Sequence, residues 1–194
     1  MTQTTRSGFG TRRRTELFDA LVDLFLTEGF AHLTLDEIAA RLRCSKSTLY
    51  TLAGSKEQLV RAATVHFFRR ATDDVEQRIA PTTGARERII AYLSAVGAVL
   101  GAASQQFMTD LDAFAPAREV YEQNTRLAAR RVRELVDDGV AAGEFREVHA
   151  AFAADLAATM MVRIQQGGVR TETGLDDADA YRELAAILTT GIQR

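Results

Sequence analysis

Several residue types are scarce in this chain, and each scarcity excludes something. The single cysteine, Cys44, cannot form an internal disulfide, which suits a reducing compartment such as the cytoplasm. Only two of the 194 residues are proline, so long helices can run without interruption. The three histidines, His32, His66 and His149, have no second ligand at the spacing that metal sites use. We therefore expect no bound metal and no cofactor.

The chain also lacks the patterns of strands and of membrane spans. Val, Ile and Thr show no sustained alternation with polar residues, whereas Ala, Leu, Arg and Glu are abundant, which predicts an all-α protein. The uncharged stretch 89–109 is interrupted by Gly, Ser and Gln, so it falls short of the ~20 strongly apolar residues of a span. Residues 1–8 have no apolar stretch of the signal-peptide type. A cytoplasmic protein without membrane contact is expected.

Residues 34–57 carry the most specific pattern of the chain. Thr34 and Glu37 form a capping box, in which a hydroxyl and a carboxylate satisfy orphan N–H groups at a helix start. Ser45 is placed to cap a second, short helix after a tight turn, and Ser55 is placed to cap a third. Two short helices joined by a tight turn predict a helix-turn-helix.

The second helix of this pair has the side chains of a recognition helix. Leu49 is its apolar anchor, and its outer face is short and polar, as entry into a DNA major groove requires. We expect DNA contacts from this helix and its flanks, namely from Thr34, Arg43, Ser45, Lys46, Ser47, Thr48, Tyr50, Thr51 and Lys56. An ordinary capped helical hairpin on a surface is the alternative.

Positive charge is placed locally, although the net charge of the chain is −2. Arg12, Arg13 and Arg14 precede the first predicted helix, and no acidic residue follows them before Glu16. We expect these arginines to form a cationic arm that binds phosphates or enters a minor groove. A solvated basic tail is the alternative.

Residues 12–59 resemble the DNA-binding domain of the TetR (tetracycline-repressor) family. The resemblance rests on four motifs at the spacing of that family: EGF at 28–30, TLDEIA at 34–39, SKSTLY at 45–50 and SKEQL at 55–59. It implies an all-α transcriptional regulator in which a helix-turn-helix domain precedes a larger helical domain for ligand binding and dimerisation. Residues 139–146, GVAAGEFR, resemble a helix-ending motif of the family outside the first domain.

Two sites depart from the family pattern. Where the family carries an aromatic residue or His, then His, then Phe, this chain has Thr51, Leu52 and Ala53, so an imidazole and an aromatic hydroxyl that would face phosphate are missing. Arg43 stands at a turn position usually held by Gly. If that turn keeps its left-handed backbone, a residue other than Gly costs about 1 kcal/mol there. Arg43 either offsets this by reaching a phosphate or is a solvated turn residue.

The chain is long enough for a second domain. We predict a disordered tail over 1–10, a DNA-binding domain over 11–60 and a helical ligand-binding and dimerisation domain over 61–194, with about nine helices in total. A long helix from Ser55 to about Ile79 is shared by the two domains. Further helices are predicted over about 85–100, 106–114, 117–139, 149–166 and 177–193, the last two separated by a polar, Gly-rich loop.

The last two predicted helices indicate a homodimer. The helix over 149–166 is apolar almost all round, so it has to be covered on both sides. A self-complementary patch on the two helices would form a twofold interface, which the resemblance also implies. The expected interface residues are Phe152, Leu156, Met160, Tyr181, Leu184, Leu188 and Ile192. Completion of the monomer core is the alternative.

The resemblance further implies a ligand cavity among the middle helices. The candidate lining residues suit a small, mostly apolar ligand: Phe67, Tyr92, Val96, Phe107, Met108, Leu111, Phe114, Tyr121, Met160 and Arg163. The predicted function is a dimeric repressor that binds a palindromic double-stranded DNA operator and is released by that ligand. An all-helical enzyme and a dimeric adaptor without DNA binding are the alternatives, but no motif for a nucleophile, a phosphate loop or paired catalytic carboxylates occurs.

Overall fold

A computed structural model describes the backbone of residues 4–194 and the side chains from Arg12 onward. The prediction of an all-α protein is confirmed, since these residues form helices and a single isolated bridge between Phe145 and Gln193. The described residues form α1 (Thr4–Glu28), α2 (Leu35–Arg41), α3 (Lys46–Leu52), α4 (Lys56–Ile79), α5 (Ala85–Leu100), α6 (Gln105–Ala113), α7 (Ala115–Ala141), α8 (Ala150–Gln165), α9 (Gly168–Thr173) and α10 (Asp177–Ile192).

Local caps determine where the first helices begin. The Thr34 hydroxyl accepts from Glu37 N at 3.2 Å, and the Glu37 carboxylate accepts from Thr34 N at 2.7 Å, which is the predicted capping box. The hydroxyls of Ser45 and Ser55 each accept a backbone N–H three residues ahead, both at 3.1 Å. Each cap satisfies one of the N–H groups that a helix start leaves unpaired.

Three helix boundaries differ from the sequence prediction. α1 begins at Thr4, so residues 4–10 of the predicted tail are helical, while residues 1–3 lie outside the described part. α7 begins at Ala115 rather than after Pro116, because a proline in the first helical turn lacks only an N–H that would be unpaired anyway. The predicted loop before α10 contains the short helix α9, which begins and ends at left-handed glycines.

The buried apolar side chains form two clusters that meet along α4. The first cluster joins α1, α2, α3 and the first half of α4 to α6 and the beginning of α7. The second joins the rest of α4 to α5, α8, α10 and the remainder of α7. Phe67 and Phe68 belong to the first cluster, whereas Val75 and Ile79 belong to the second. α4 is therefore the helix through which the two halves of the molecule share a core.

No single helix in the described part of the chain is long and apolar enough to cross a membrane. α5 and α6 meet that criterion only when taken together, and their axes are bent by 90°.

Candidate DNA-binding surface and ligand cavity

The turn between α2 and α3 holds the two helices as a helix-turn-helix. Arg43 has φ of +50°, so the left-handed backbone considered for this position is present although the residue is not Gly. Cys44 N donates to Ala39 O at 3.0 Å and closes the turn. Leu49 and Leu52 are buried beneath α3, which leaves the opposite side of that helix to solvent.

The solvent side of α3 is a short polar surface. Ser47 and Tyr50 are exposed, and Thr48 is half-buried. Ser45 Oγ lies 2.9 Å from Ser47 Oγ and 2.8 Å from Thr48 Oγ1, so the three hydroxyls form one cluster. Thr51 Oγ1 donates to Thr48 O at 2.6 Å. Small hydroxyl side chains at a helix start can approach base edges and phosphates without steric hindrance.

Three further predicted contact residues also have partners within the chain. Lys46 Nζ donates to Asp36 Oδ2 at 3.0 Å, and this hydrogen bond raises the pKa of Lys46. Lys56 Nζ donates to Ala31 O at 2.8 Å. Thr34 is engaged in the capping box. Contact with DNA would therefore require Lys46 to exchange Asp36 for phosphate.

The prediction of a cationic arm before the first helix is wrong for Arg12, Arg13 and Arg14. All three lie within α1, because no helix breaker separates them from the rest of that helix and propagation adds one hydrogen bond per residue. Arg12 Nε pairs with Glu16 one turn later at 2.8 Å. Arg13 is exposed beside them.

Arg14 connects α1 to the end of α3. Its guanidinium donates to Thr51 O at 2.9 Å and to Leu52 O at 3.4 Å, and its Cζ lies 5.4 Å from the centre of the Phe18 ring. The last carbonyls of a helix lack intrahelical partners and carry partial negative charge. Arg14 therefore caps the C-terminus of α3 from a neighbouring helix, a contact that no local pattern in the sequence indicates.

A cavity of about 270 Å³ lies among α4, α5, α7 and α8. Tyr92, Val96 and Tyr121 line it, as predicted. A wider groove of about 660 Å³ lies between α4 and α7, and it shares the lining residues Phe68, Thr72, Asn124 and Leu127 with the cavity.

The other seven predicted lining residues do not reach this cavity. Phe67, Phe107, Met108, Leu111 and Phe114 pack in the first apolar cluster or against it, while Met160 packs against the second and Arg163 is exposed. Consecutive helical residues point about 100° apart, so the neighbours Phe68 and Met161 line the cavity instead. Helical periodicity alone did not indicate which of two adjacent apolar residues faced it.

Polar side chains of the cavity wall are bonded to one another. Tyr121 Oη donates to Gln165 Oε1 at 2.6 Å, and Gln165 Nε2 donates to Tyr181 Oη at 2.7 Å. Burial raises the pKa of Tyr121 to about 12. Arg131 donates to both carboxylate oxygens of Glu76, at 2.8 and 3.1 Å, and to Glu134 at 3.0 Å.

The predicted interface residues separate into two groups. Tyr181, Leu188 and Ile192 are buried inside the single chain, so their assignment to a partner-facing patch is wrong. Tyr181 packs on α5 at Gly97, where an added Cβ would lie 2.8 Å from its ring. The face of α10 that carries Tyr181, Leu188 and Ile192 therefore completes the core of the single chain.

An apolar surface does remain on α8 and α10. Phe152 and Ile187 are each 69% exposed and Leu156 is 50% exposed. Met160 and Leu184 are half-buried. The sequence prediction does not include Ile187, because Ile187 lies off the helical face that carries Tyr181, Leu184, Leu188 and Ile192, although it directly precedes Leu188.

A buried carboxylate joins α6 to the residues that follow α1. Asp110 Oδ2 accepts from Phe30 N at 2.6 Å and from Ala31 N at 2.7 Å, and Oδ1 accepts from Gln106 Nε2 at 2.7 Å. Gly29 has φ of +80°, and a Cβ there would lie 2.5 Å from Asp110 Oδ2. The sequence motif 28–30 is thus the site at which α6 is attached to the helix-turn-helix unit.

Comparison with known proteins agrees with these features. The family model described as "Bacterial regulatory proteins, tetR family" matches residues 17–63. No curated protein sequence matches the chain. A Saccharomonospora viridis structure described as a transcriptional regulator in complex with choline is similar with a TM-score of 0.78 and 16% identity, over 95% of this chain and 99% of the other.

Two further solved structures have the same architecture. A TetR transcription regulator from Haloarcula marismortui aligns with a TM-score of 0.78 and 18% identity, over 94% of this chain and 100% of the other. The regulator FadR from Bacillus subtilis, in complex with stearoyl-CoA, aligns with a TM-score of 0.72 and 15% identity, over 91% and 98%. At such identities the likeness shows the fold. The family match shows in addition that residues 17–63, which contain the helix-turn-helix, are a domain of the tetR family of bacterial regulatory proteins.

Proposed function

We propose that this protein is a dimeric repressor that binds a palindromic double-stranded DNA operator through α3 of each subunit and leaves it when a small ligand occupies the cavity. In this proposal residues 11–60 are the DNA-binding domain and residues 61–194 the ligand-binding and dimerisation domain. The protein would act in the cytoplasm, where its operator lies. The observation that carries the proposal is the polar outer face of α3, held in place from below by Leu49 and Leu52.

The chemistry of α3 supports two kinds of DNA contact. Thr48 and Ser47 offer hydroxyls that can read base edges, and Tyr50, 49% exposed, offers an apolar ring with a polar tip. Lys46 offers a positive charge that would exchange Asp36 for a phosphate. Phosphate contacts set orientation and salt dependence, whereas base contacts set sequence preference.

The exposed apolar patch on α8 and α10 supports a twofold dimer. Phe152 and Leu156 lie one turn apart on α8, and Ile187 lies on α10, which packs beside it. Large apolar side chains exposed together mark a surface that is covered in the working protein. Two recognition helices about 34–36 Å apart would then enter successive major grooves.

The position of the cavity supports control by a ligand. Phe68, Thr72 and Glu76 line it from α4, and the N-terminal half of α4 packs in the same apolar cluster as α3. The structures similar to this chain that are described with choline and with stearoyl-CoA show that this fold can hold small molecules. A ligand that shifts α4 would change the position of α3, so ligand and operator should weaken each other by the same factor, typically ~5–150-fold.

The test is to select operator fragments from genomic DNA with the purified protein and to titrate them with variants. Thr48→Ala should weaken operator binding more than random-DNA binding, whereas Lys46→Ala should weaken both and flatten the salt dependence. Arg182→Ala on α10 removes one positive charge far from α3 and serves as the control. Leu156→Glu should yield a monomer that has lost affinity for a two-half-site operator.

Equal losses on operator and random DNA for Thr48→Ala would remove it from base readout. A wild-type protein that retains no genomic fragment, or that sediments as a monomer at micromolar concentration while binding a palindrome normally, would contradict the proposal.

A further inference from the structure

Tyr92 is a buried residue whose hydroxyl has no hydrogen-bond partner among the residues that the structure describes. Its side chain is 5% exposed and lines the cavity from α5. It forms no hydrogen bond with any described residue. No fully buried side-chain polar atom of the described residues lacks a partner, so this hydroxyl retains some exposure. In the cavity wall it is placed to bond water or a ligand.

Several other polar side chains around the cavity are already bonded within the chain, whereas Asn124 and Arg130 of the wall form no such bond with a described residue. Tyr121 and Tyr181 are bridged by Gln165, so both of these hydroxyls are satisfied. Arg131 is held by two carboxylates. Tyr92 is therefore a hydrogen-bonding group that is available to a ligand without breaking a contact in the protein.

The charges beside Tyr92 favour an uncharged ligand group at this end of the cavity, whereas Arg130, which also lines it, is exposed to solvent. Burial, reinforced by nearby Glu76, raises the pKa of the Tyr92 phenol, so it stays protonated and donates its hydrogen. A ligand carboxylate at this position would meet Glu76 and Glu134. A ligand cation would have to compete with Arg131, which already occupies both carboxylates.

The apolar residues of the cavity wall determine the size and the hydrophobic character of the ligand. Val75, Val96, Val99 and Met161 are apolar, and they surround a volume of about 270 Å³. Most of the surface of a molecule bound there would contact hydrocarbon, with polar recognition confined to one or two groups.

We infer that the ligand of this cavity is an uncharged, mostly apolar molecule with one hydrogen-bond acceptor, such as a ketone or ester oxygen, which accepts from Tyr92 Oη. The inference rests on the proposed ligand-controlled function for its biological meaning, but the binding itself does not depend on DNA. Tyr92 thereby determines specificity for the acceptor, while the apolar wall determines size.

The inference is tested with three probes that each have a ten-carbon main chain: 2-decanone, decanoate and decyltrimethylammonium. Binding to the full-length protein is measured by calorimetry and by the shift in melting temperature. 2-Decanone should bind more tightly than either charged probe. Tyr92→Phe, which removes only the hydroxyl, should weaken 2-decanone binding by roughly 5- to 30-fold, the range expected for one hydrogen bond.

Tyr121→Phe is the matched control. It removes a hydroxyl that is bonded to Gln165, so it should lower the melting temperature without ligand, whereas Tyr92→Phe should leave that temperature unchanged or raise it. Tighter binding of a charged probe, absence of 2-decanone binding, or equal affinity of wild type and Tyr92→Phe would overturn the inference. A ketone that binds through Tyr92 but leaves operator affinity unchanged would uphold the site and contradict ligand control, so the two failures are distinguishable.

Discussion

The caps of the helix-turn-helix and the polar contacts of the half that contains the cavity differ in range. In the first, the caps of α2, α3 and α4 each join residues three positions apart. In the second, Tyr121 bonds Gln165 across 44 positions and Arg131 bonds Glu76 across 55. Local contacts form as soon as a helix forms, whereas distant ones exist only in the folded molecule.

This difference bears on how the regulator could work. The face of α3 is fixed by its own residues and by Leu49 below it, so its shape need not change when a ligand binds. Its position depends on contacts from elsewhere in the chain, above all from Asp110 on α6 and Arg14 on α1. In the proposed mechanism, a ligand would move α3 without altering its surface.

The largest loss of stability is expected from Asp110→Ala. The substitution leaves Phe30 N and Ala31 N without their acceptor at a buried site, so the free energy of unfolding should fall by about 2–4 kcal/mol. Urea denaturation measures the change. Asp112→Ala, at an exposed neighbour on the same helix, should be within about 0.5 kcal/mol of wild type.

If Asp110→Ala and Asp112→Ala have equal stability, the connection between α6 and the end of α1 does not stabilise the fold. Gly29→Ala offers a second test at the same contact, because it requires a left-handed alanine whose Cβ would overlap the Asp110 carboxylate. It should destabilise the protein in the same direction.

The range of contacts also explains which features the sequence could predict. Thr34, Ser45 and Ser55 were identified as caps from residues three apart, and the limits of α4 and α5 followed from caps and breakers. A helix boundary is a local property, so the helical order of the chain was largely predictable.

Sites made by distant residues were predicted less well. Phe67 was chosen for the cavity although Phe68 lines it, because both are apolar and only the packing of α4 against α5 and α7 separates them. Asp110 gave no signal, since its partners are backbone N–H groups 79 and 80 positions away. Arg14 had the charge of a DNA contact, but its place in α1 directs it to the end of α3.

A smaller loss of stability than for Asp110→Ala is expected from Arg14→Ala. Loss of the guanidinium leaves the last carbonyls of α3 to water and should lower the free energy of unfolding by about 1 kcal/mol, because the contact is largely exposed. Operator affinity should fall as well, since α3 loses one of its supports. The matched control is Arg13→Ala, which removes the same charge from an exposed neighbour.

Arg14 could act as a helix cap or as a phosphate contact. The two roles are separated by measuring stability with chemical denaturation, and operator affinity, at low and high salt. A cap should affect stability and operator binding together, whereas a phosphate contact should affect only binding. If Arg14→Ala and Arg13→Ala are equally stable and differ only in DNA affinity, the cap is not significant and Arg14 is a DNA contact of the kind the sequence indicated.

The smallest effect is expected in the pH dependence of the contact between α1 and α4. Asp19 lies 2.7 Å from His66 Nε2 and pairs with Arg70. Burial alone would raise the pKa of Asp19, but the hydrogen bond with His66 and the charge of Arg70 outweigh it and lower that pKa. Because the folded pKa lies below the unfolded value of about 3.9, the carboxylate stabilises the fold above that pH and loses this contribution as the pH falls through the folded pKa.

Asp19→Asn should therefore lower the melting temperature at pH 7 and bring the values at pH 7 and pH 3 closer together than in wild type. Asp23→Asn is the control, since Asp23 is exposed on the same helix and forms no ion pair with a described residue. Thermal melts from pH 2.5 to 7 measure both. Parallel curves for wild type and Asp19→Asn would show that this contact, although it spans 47 positions, adds nothing to the stability that local caps and apolar packing provide.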